Sequence, residues 1–132
     1  MKISRSTGYA LLAVGYIAQN RDQKIILSQT ISKAYDIPLE YLLKILQQLV
    51  RANVLISKRG PRGGFSLARP LDKITMLEII EAVDGPMISH LNLAEQSGGE
   101  ALSVKMENIY EKALATARNV FESTKISDLL EG

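Results

Sequence analysis

The chain lacks several features that define common classes of protein. It has no cysteine, which excludes disulfides, thiolate zinc sites, cysteine-ligated iron–sulfur clusters and thiol nucleophiles. Its one histidine, His90, has no second histidine near it, so we expect no bound metal and no cofactor. No apolar run approaches the roughly 20 residues of a membrane span, and residues 1–5 do not lead into a secretory signal. We therefore expect a cytoplasmic protein with no membrane partner.

The sequence also lacks the side-chain sets that enzymes use. No acid pair, Ser/His set or phosphate loop stands in a usable context. The glycines at 60–64 fall inside a predicted hairpin and lead into no helix, so they do not match a nucleotide-binding fingerprint. We expect a protein that is not an enzyme.

Charge is distributed unevenly along the 132 residues. The net charge is +2, but residues 1–70 hold 11 lysines and arginines against 3 acids, whereas residues 71–132 hold 5 against 11. Such an asymmetry is typical of a protein whose basic part meets a polyanion. The sequence therefore favours nucleic acid as the partner of the first half, with chance clustering as the alternative.

A basic segment in the first half predicts a β-hairpin. Residues 54–58 are apolar and β-branched, residues 65–68 alternate in polarity, and glycine and proline between them supply a turn. The predicted tip carries cations that can reach a phosphate backbone or a narrow minor groove. An ordinary solvated hairpin is the alternative. The cations at or near the tip are Lys58, Arg59 and Arg62, and Arg69 lies on the far strand.

Helical segments precede this hairpin. Residues 6–19, with Ser6 as the expected cap, are apolar on nearly every side, which is typical of a buried helix or of one covered by a second chain. A short strand is expected at 25–27, and a helix capped by Ser28 runs to residue 35. A turn at 36–38 leads into a helix over residues 39–52, which Asn53 ends.

Two helices joined by a tight turn and followed by a basic hairpin form a winged helix-turn-helix, whose second helix enters the major groove. A helix packed on a small domain with a solvated polar face is the alternative for residues 39–52. The predicted buried stripe of that helix is Leu42, Ile45, Leu46 and Leu49.

The second half predicts two further helices. Thr75 and Glu78 have the spacing of a capping box, and Asp84-Gly85-Pro86 ends the helix that they begin. Residues 86–100 are expected to be a mobile loop or linker. A long helix over 101–124 carries a near-heptad seam that favours pairing between two chains, with intrachain packing as the alternative. The seam is Leu102, Met106, Ile109, Ala113, Ala117, Val120 and Thr124.

The predicted fold is therefore mainly α with a small two-stranded β wing. Residues 1–85 form a winged helix-turn-helix DNA-binding domain. Residues 86–100 form the linker, and residues 101–132 form a dimerisation helix with a C-terminal tail.

Three segments carry a resemblance to a known family. Residues 6–11 read Ser-Thr-Gly-Tyr-Ala-Leu, residues 37–42 read Ile-Pro-Leu-Glu-Tyr-Leu, and residues 59–69 read Arg-Gly-Pro-Arg-Gly-Gly-Phe-Ser-Leu-Ala-Arg. With Ile74-Thr75 and residues 82–85, they resemble the opening, the recognition-helix entry and the wing of the IscR/NsrR/CymR-type bacterial transcription regulators, the Rrf2 family. The resemblance covers residues 1–85 and extends to the long helix by pattern only.

The resemblance implies a homodimer that binds palindromic operators in double-stranded DNA. By chemistry, Lys44 can donate to guanine and Glu40 can accept from cytosine. Leu43 and Lys44 depart from the acidic and amide pair frequent in the family, which leaves the operator sequence open. The motif positions place Glu40, Tyr41 and Lys44 at the major groove, Lys58, Arg59, Gly60 and Arg62 at the wing, and Tyr9, Ser28 and Gln29 at phosphates.

Sensing is where the sequence departs most from the family. Many members hold an iron–sulfur cluster on three cysteines in the loop after the capped helix, and residues 86–100 contain none. Some members also recruit an acidic residue just before the opening tyrosine, where this chain has Gly8. We therefore expect no cluster, and no response to nitric oxide or iron by that route.

The leading interpretation is a DNA-binding transcriptional regulator, and more specifically a repressor. The alternative is a protein-interaction co-regulator that uses the dimer to bind a metabolic enzyme, with weak or no operator specificity. Sensing of a small-molecule or protein effector is compatible with the first interpretation, with residues 86–100 and the helix junctions as the expected place for a pocket.

Overall fold

The computed structural model describes residues 2–58 and 63–130. Within them the fold is mainly helical with a small antiparallel sheet, which confirms the predicted class. The elements in chain order are α1 (Arg5–Gln19), β1 (Ile26–Leu27), α2 (Ser28–Tyr35), α3 (Leu39–Arg51), β2 (Leu55–Lys58), β3 (Gly64–Leu67), a 3₁₀ turn (Leu71–Lys73), α4 (Met76–Asp84), α5 (Leu93–Gln96), α6 (Ala101–Ser123) and α7 (Ile126–Leu130).

The caps of the first two helices differ from the prediction. Ser4, not Ser6, caps α1, because its backbone is extended and its Oγ accepts a hydrogen bond from the Thr7 N–H at 3.2 Å. Ser28 is the first helical residue of α2 and not its cap, because strand β1 runs directly into the helix and leaves Leu27 at the cap position. Serine type alone does not locate a cap when several serines stand near a helix start.

A left-handed residue ends each of the two central helices. Asp36 closes α2 with a φ of 54°, and Asn53 follows α3 with a φ of 62°, as predicted for Asn53. Between the two helices, the Ser32 hydroxyl donates to the carbonyl oxygen of buried Ile37 at 2.5 Å. These contacts fix the tight turn that sets α2 against α3.

The sheet has three strands in the order β1-β3-β2, one more than the predicted two-stranded wing. Strand β1 pairs with the start of β3, with Ile26 opposite Phe65. Gly64 makes this pairing possible, because a Cβ at that position would lie 1.6 Å from Ile25 Cγ2. The wing is therefore tied to the segment that precedes α2.

One core joins these elements. The predicted stripe of α3, namely Leu42, Ile45, Leu46 and Leu49, is buried, together with Leu43 at its edge. It packs with the buried face of α1, with Phe65 of β3 and with Ile79 of α4. Burial of each such apolar side chain stabilises the fold by about 1.5–3 kcal/mol relative to leaving it exposed. The core therefore holds α3 firmly in place.

A capping box begins α4, as predicted. The Thr75 hydroxyl accepts from the Glu78 N–H, and the Glu78 carboxylate accepts from the Thr75 N–H, both at 3.2 Å. Burial raises the pKa of Glu78, but hydrogen bonds from Arg69 and Thr75 outweigh that effect and place the pKa below its ordinary value of 4.5. Gly85, with a φ of 83°, follows the last helical residue.

Helix α6 differs from every other long helix of the described chain. It has 23 residues, and none of them is buried. Its far end is fastened to the start of α4, because the Met76 N–H donates to the Thr124 carbonyl at 2.8 Å and the Ile126 N–H donates to the Ile74 carbonyl at 2.9 Å. The near end folds back on α5, a short helix inside the segment predicted to be irregular. No helix of the described residues has the length and apolar character of a membrane span.

Candidate nucleic-acid interface

The outward face of α3 is polar along its whole length. Glu40, Lys44, Gln47 and Arg51 follow one another at spacings of four, three and four residues, so they form a single stripe on the side opposite the buried leucines. Glu40, Lys44 and Arg51 are exposed, whereas Gln47 is half-buried. The helix is thus anchored on one side and offers hydrogen-bonding groups on the other.

A cleft of about 580 Å³ runs over this face. Its walls include Ser6 from the first turn of α1, so two helices shape it and not α3 alone. Four members of the site were not predicted from the sequence, namely Ser6, Gln47, Gln48 and Arg51. The helical spacing could have found the last three, whereas only the tertiary fold brings Ser6 to α3. The cleft is lined by Ser6, Glu40, Tyr41, Leu43, Lys44, Ile45, Gln47, Gln48 and Arg51.

Tyr9 and Tyr41, both predicted to contact DNA, also contact each other. Their ring centroids lie 5.7 Å apart at 87°, an edge-to-face pair. The Tyr41 hydroxyl also shares a hydrogen bond with the Ser6 hydroxyl, with the oxygens 2.5 Å apart. Tyr41 remains 41% exposed. It therefore braces α3 against α1 and keeps part of its ring available to a ligand.

The same turn of α1 is bonded to the end of α4. The Ser4 hydroxyl donates to Asp84 Oδ1 at 2.5 Å, and the Ser4 N–H donates to Oδ2 at 3.3 Å. Burial raises the pKa of Asp84, but the hydrogen bonds from Ser4 and Thr7 outweigh that effect. The pKa of Asp84 therefore lies below its ordinary value of 3.8. The start of α1 is thus held from two sides, by α4 and by α3.

The start of α2 presents one predicted phosphate-contacting side chain and hides the other. Gln29 is exposed, whereas Ser28 is 1% exposed. A contact to a phosphate at this helix end would therefore use Gln29 or backbone N–H groups more readily than the Ser28 hydroxyl.

The hairpin cations divide into two groups. Lys58 is exposed at the end of β2, opposite Gly64 of β3. Arg69, which the sequence placed on the far strand, lies beyond β3 and is bound within the fold. Its guanidinium donates to the Asn53 carbonyl at 3.0 Å and to the Lys73 carbonyl at 2.8 Å, and it pairs with Glu78. The predicted wing residues Arg59, Gly60 and Arg62 lie outside the described residues.

Most cations of the first half have no acidic partner within the described chain. Over residues 2–58 and 63–70, Arg69 alone forms an ion pair with another described residue. Lys44, Arg51 and Lys58 are exposed without such a pair. Their charge is therefore available to a polyanion at no cost of breaking internal ion pairs.

The predicted dimer seam of α6 is largely exposed. Leu102 and Ile109 are each 67% exposed, and Val120 is 56% exposed. Met106 and Ala113 are exposed too, but Ala117 is half-buried on the neighbouring face, and Thr116 takes its place in the exposed row. The exposed row 102, 106, 109, 113, 116 and 120 alternates steps of four and three residues, the spacing of a coiled-coil seam.

Comparison with known proteins agrees with this architecture. Residues 3–132 match the model of the Rrf2 family, which is described as an iron-dependent transcriptional regulator. The chain belongs to the Rrf2 family. The expected family is thereby confirmed, and this Rrf2 protein is a transcriptional regulator and not an enzyme.

Relatives of this Rrf2 protein carry regulator names. A putative HTH-type transcriptional regulator of Aquifex aeolicus is 44% identical over 81 residues, which are 61% of this chain and 56% of that protein. The HTH-type transcriptional regulator IscR of Cereibacter sphaeroides is 33% identical over an alignment that covers 99% of this chain and 88% of that protein.

Solved structures of other Rrf2-like proteins show the same fold. CymR, the global cysteine regulator of B. subtilis, has a TM-score of 0.83 at 24% identity and covers 98% of this chain and 95% of its own. IscR of T. potens has a TM-score of 0.74 at 22% identity and covers 98% of this chain and 86% of its own.

The donor groups of this Rrf2 chain do not fit an iron–sulfur cluster. Segment 86–100 has no thiolate, and its carboxylate Glu95 accepts a hydrogen bond from Asn92 at 3.1 Å. Glu107 of α6 accepts from the Ala94 N–H at 3.3 Å. In the described ranges, no three His, Asp or Glu side chains come together as a metal site. Within this segment, Leu93–Gln96 form the short helix α5.

Proposed function

We propose that this Rrf2-family regulator is a sequence-specific DNA-binding repressor that acts as a homodimer on palindromic operators without an iron–sulfur cluster. The observation that carries the proposal is the outward face of α3. A helix that is anchored by five buried side chains and presents a polar stripe over a cleft suits the major groove. Repression follows if an operator overlaps a promoter and excludes the polymerase.

Charge supports DNA as the ligand. Lys44, Arg51 and Lys58 are exposed and form no ion pair with another described residue, so each can replace a counterion at a phosphate. We propose that Lys44 reads a base, that Lys58, Arg59, Gly60 and Arg62 contact the adjacent groove or backbone, and that Tyr9 and Gln29 position the protein on phosphates. Phosphate contacts set the register, and base contacts set the sequence.

The apolar seam of α6 supports a second copy of the chain as its partner. Large apolar side chains that recur at coiled-coil spacing on an exposed helix are costly in water and are buried when two such helices pair. A two-fold dimer also presents two copies of α3, which is what a palindromic operator requires. We assign Leu102, Met106, Ile109, Ala113 and Val120 to this interface, with Ala117 at its edge.

A selection of binding sites from a random duplex library tests the proposal. The wild-type protein should enrich a palindromic motif, and its affinity for that motif should fall steeply with salt, since each neutralised phosphate contributes about −0.9 to the slope of log K against log salt. The Arg59→Ala variant should bind the same motif more weakly and with a shallower slope.

The outcome separates two functions. Enrichment of a palindrome supports the repressor, and loss of affinity in Arg59→Ala supports the wing assignment. A library that stays random after selection would contradict the DNA-reading function and favour the protein-interaction alternative, in which the dimer binds another protein.

A further inference from the structure

Two neutral amides stand among the charges of the outward face of α3. Gln47 lies in the stripe with Lys44 and Arg51, whereas Gln48 lies one position aside, on the flank of Tyr41. Both amides are half-buried and both line the cleft. They have the same chemistry but different directions, so the structure distinguishes them.

The Gln47 amide is open to a ligand. Among the described residues its side chain makes no hydrogen bond, and no side-chain nitrogen or oxygen of those residues is buried without a partner, so the amide is in contact with water. A ligand that displaces this water must supply hydrogen bonds to the amide, because leaving it unpaired would cost free energy. The cleft over α3 leaves room for such a ligand.

The side chains on the two flanks of Gln47 do not compete with its amide for a hydrogen-bonding ligand. Leu43, one turn earlier on the same flank, is 9% exposed and offers only an apolar edge. On the opposite flank, Tyr41 is held by Ser6 and Tyr9. The polar group that follows Lys44 along the stripe is therefore Gln47.

The position along the helix matches the rise of DNA. Lys44 and Gln47 are three residues apart, which is about 4.5 Å along a helix axis. Successive base pairs are about 3.4 Å apart. A helix lying along the groove therefore brings the two side chains to base pairs that are adjacent or one apart.

We propose that Gln47 is a specificity-determining residue that reads one adenine in each operator half-site, next to the guanine read by Lys44. This inference rests on the proposed DNA-binding function. The side-chain Nε2 donates to adenine N7, and Oε1 accepts from the adenine N6 amino group, the bidentate pairing that an amide makes in the major groove.

The test compares binding-site selections for the wild type, Gln47→Ala, Gln47→Glu, Gln48→Ala and Gln96→Ala. Gln47→Ala should lose the preference for adenine at one position of each half-site and bind the wild-type site about tenfold more weakly per half-site. Gln47→Glu should change the preferred base at that position from adenine to cytosine, because a carboxylate accepts from the cytosine amino group. Gln48→Ala, on the other flank of the cleft, tells which of the two amides reads the base and should keep the preference for adenine at that position. Gln96→Ala removes an exposed glutamine of α5 that does not line the cleft, and as the matched control it should keep the wild-type motif.

The results distinguish the inference from the function on which it rests. If the wild type enriches a palindrome and Gln47→Ala and Gln47→Glu enrich the same one, the assignment of Gln47 is wrong while the DNA-reading function stands. A change of motif in Gln48→Ala with none in Gln47→Ala would move the reading role to the other flank and also overturn the assignment. If the wild type enriches nothing, the proposed function itself fails. Circular dichroism melting of each variant excludes unfolding as the cause.

Discussion

Helices α3 and α6 are both amphipathic, but they leave opposite kinds of surface exposed. Helix α3 buries five apolar side chains among its 13 residues and turns charges and amides outward. Helix α6 buries none of its 23 residues and turns leucine, isoleucine and valine outward. The polar face can bind a hydrated polyanion, whereas the apolar face requires another apolar surface.

The difference shows that the part of the chain up to α4 and the part after it reach stability in different ways. The part up to α4 builds its own core from α1, α3, the sheet and α4. From α5 onward, the described residues contribute one buried hydrophobic residue to that core, Ile126. Helix α6 packs on α4 and α5 without burying any residue completely, so its apolar outer row is left without a partner among the described residues. The comparison therefore predicts that changes on α6 act on assembly, and changes on α3 act on recognition.

The largest effect is expected from Ile109→Asp in the α6 seam. A two-fold dimer loses the buried isoleucine twice, at about 1.5–3 kcal/mol each, which corresponds to a roughly 10²- to 10⁴-fold weaker dimer. Sedimentation equilibrium should show monomers at micromolar concentration. Asn108→Asp adds the same charge beside the seam and should leave the dimer intact. If the Ile109→Asp protein is still a dimer, the assignment of α6 to the dimer interface is wrong.

Lys44→Ala should separate recognition from assembly. Loss of a base-reading cation on α3 should weaken operator binding by about 1–3 kcal/mol per half-site, or roughly 5- to 150-fold, with no change in dimer dissociation. Fluorescence anisotropy with operator and random duplexes measures both affinity and specificity. Lys73→Ala, which removes an exposed lysine outside α3, serves as the control. Equal losses in the two variants would mean that Lys44 contributes charge alone.

Gly64→Ala tests how the wing is attached to the domain. The new methyl group would overlap Ile25, so we expect a loss of about 1–3 kcal/mol in the free energy of unfolding from overpacking. Gly15→Ala places the same methyl in open space on a helix and should stabilise the protein by about 0.5–1 kcal/mol. Urea unfolding measures both. An unchanged Gly64→Ala protein would show that β1 does not pack on β3 in solution.

The smallest effect is expected at the start of α4. Thr75→Ala removes the capping hydroxyl and should lower the free energy of unfolding by about 1 kcal/mol.

Because the pKa of Glu78 is lower in the folded chain than its ordinary 4.5, the carboxylate stabilises the fold above pH 4.5, and that contribution is lost as the pH falls through the folded value. Urea midpoints at a series of pH values should therefore fall in acid, with a weaker dependence in Glu78→Gln. Identical pH profiles would contradict the role given to Glu78.

Local patterns predicted most of the fold. The capping box, the left-handed Asn53, the apolar stripe of α3 and the long helix α6 depend on residues within a few turns of one another, so the sequence carries them directly. One cap error arose where two serines compete, at Ser4 and Ser6. The other arose at the end of β1, which runs directly into α2 and leaves Leu27 at the cap position. There the path of the neighbouring strand decides which residue takes the extended backbone.

Long-range contacts of the site were beyond the sequence. Ser6 meets Tyr41 across 35 positions, and Ser4 meets Asp84 across 80. Arg69 looked like a wing cation, but the fold turns it onto Glu78 and two carbonyls. Such partners become visible only when separate elements are brought together, because each residue type is compatible with many local environments.

The backbone bonds between residues 74–76 and 124–126 fasten the far end of α6 to the winged domain. In a two-fold dimer joined along α6, the angle between that helix and its own domain determines how far apart the two copies of α3 stand. These backbone hydrogen bonds would then help to set the number of base pairs between the two half-sites. Substitutions that shift them would change the accepted spacing and leave the bases preferred within each half-site unaltered.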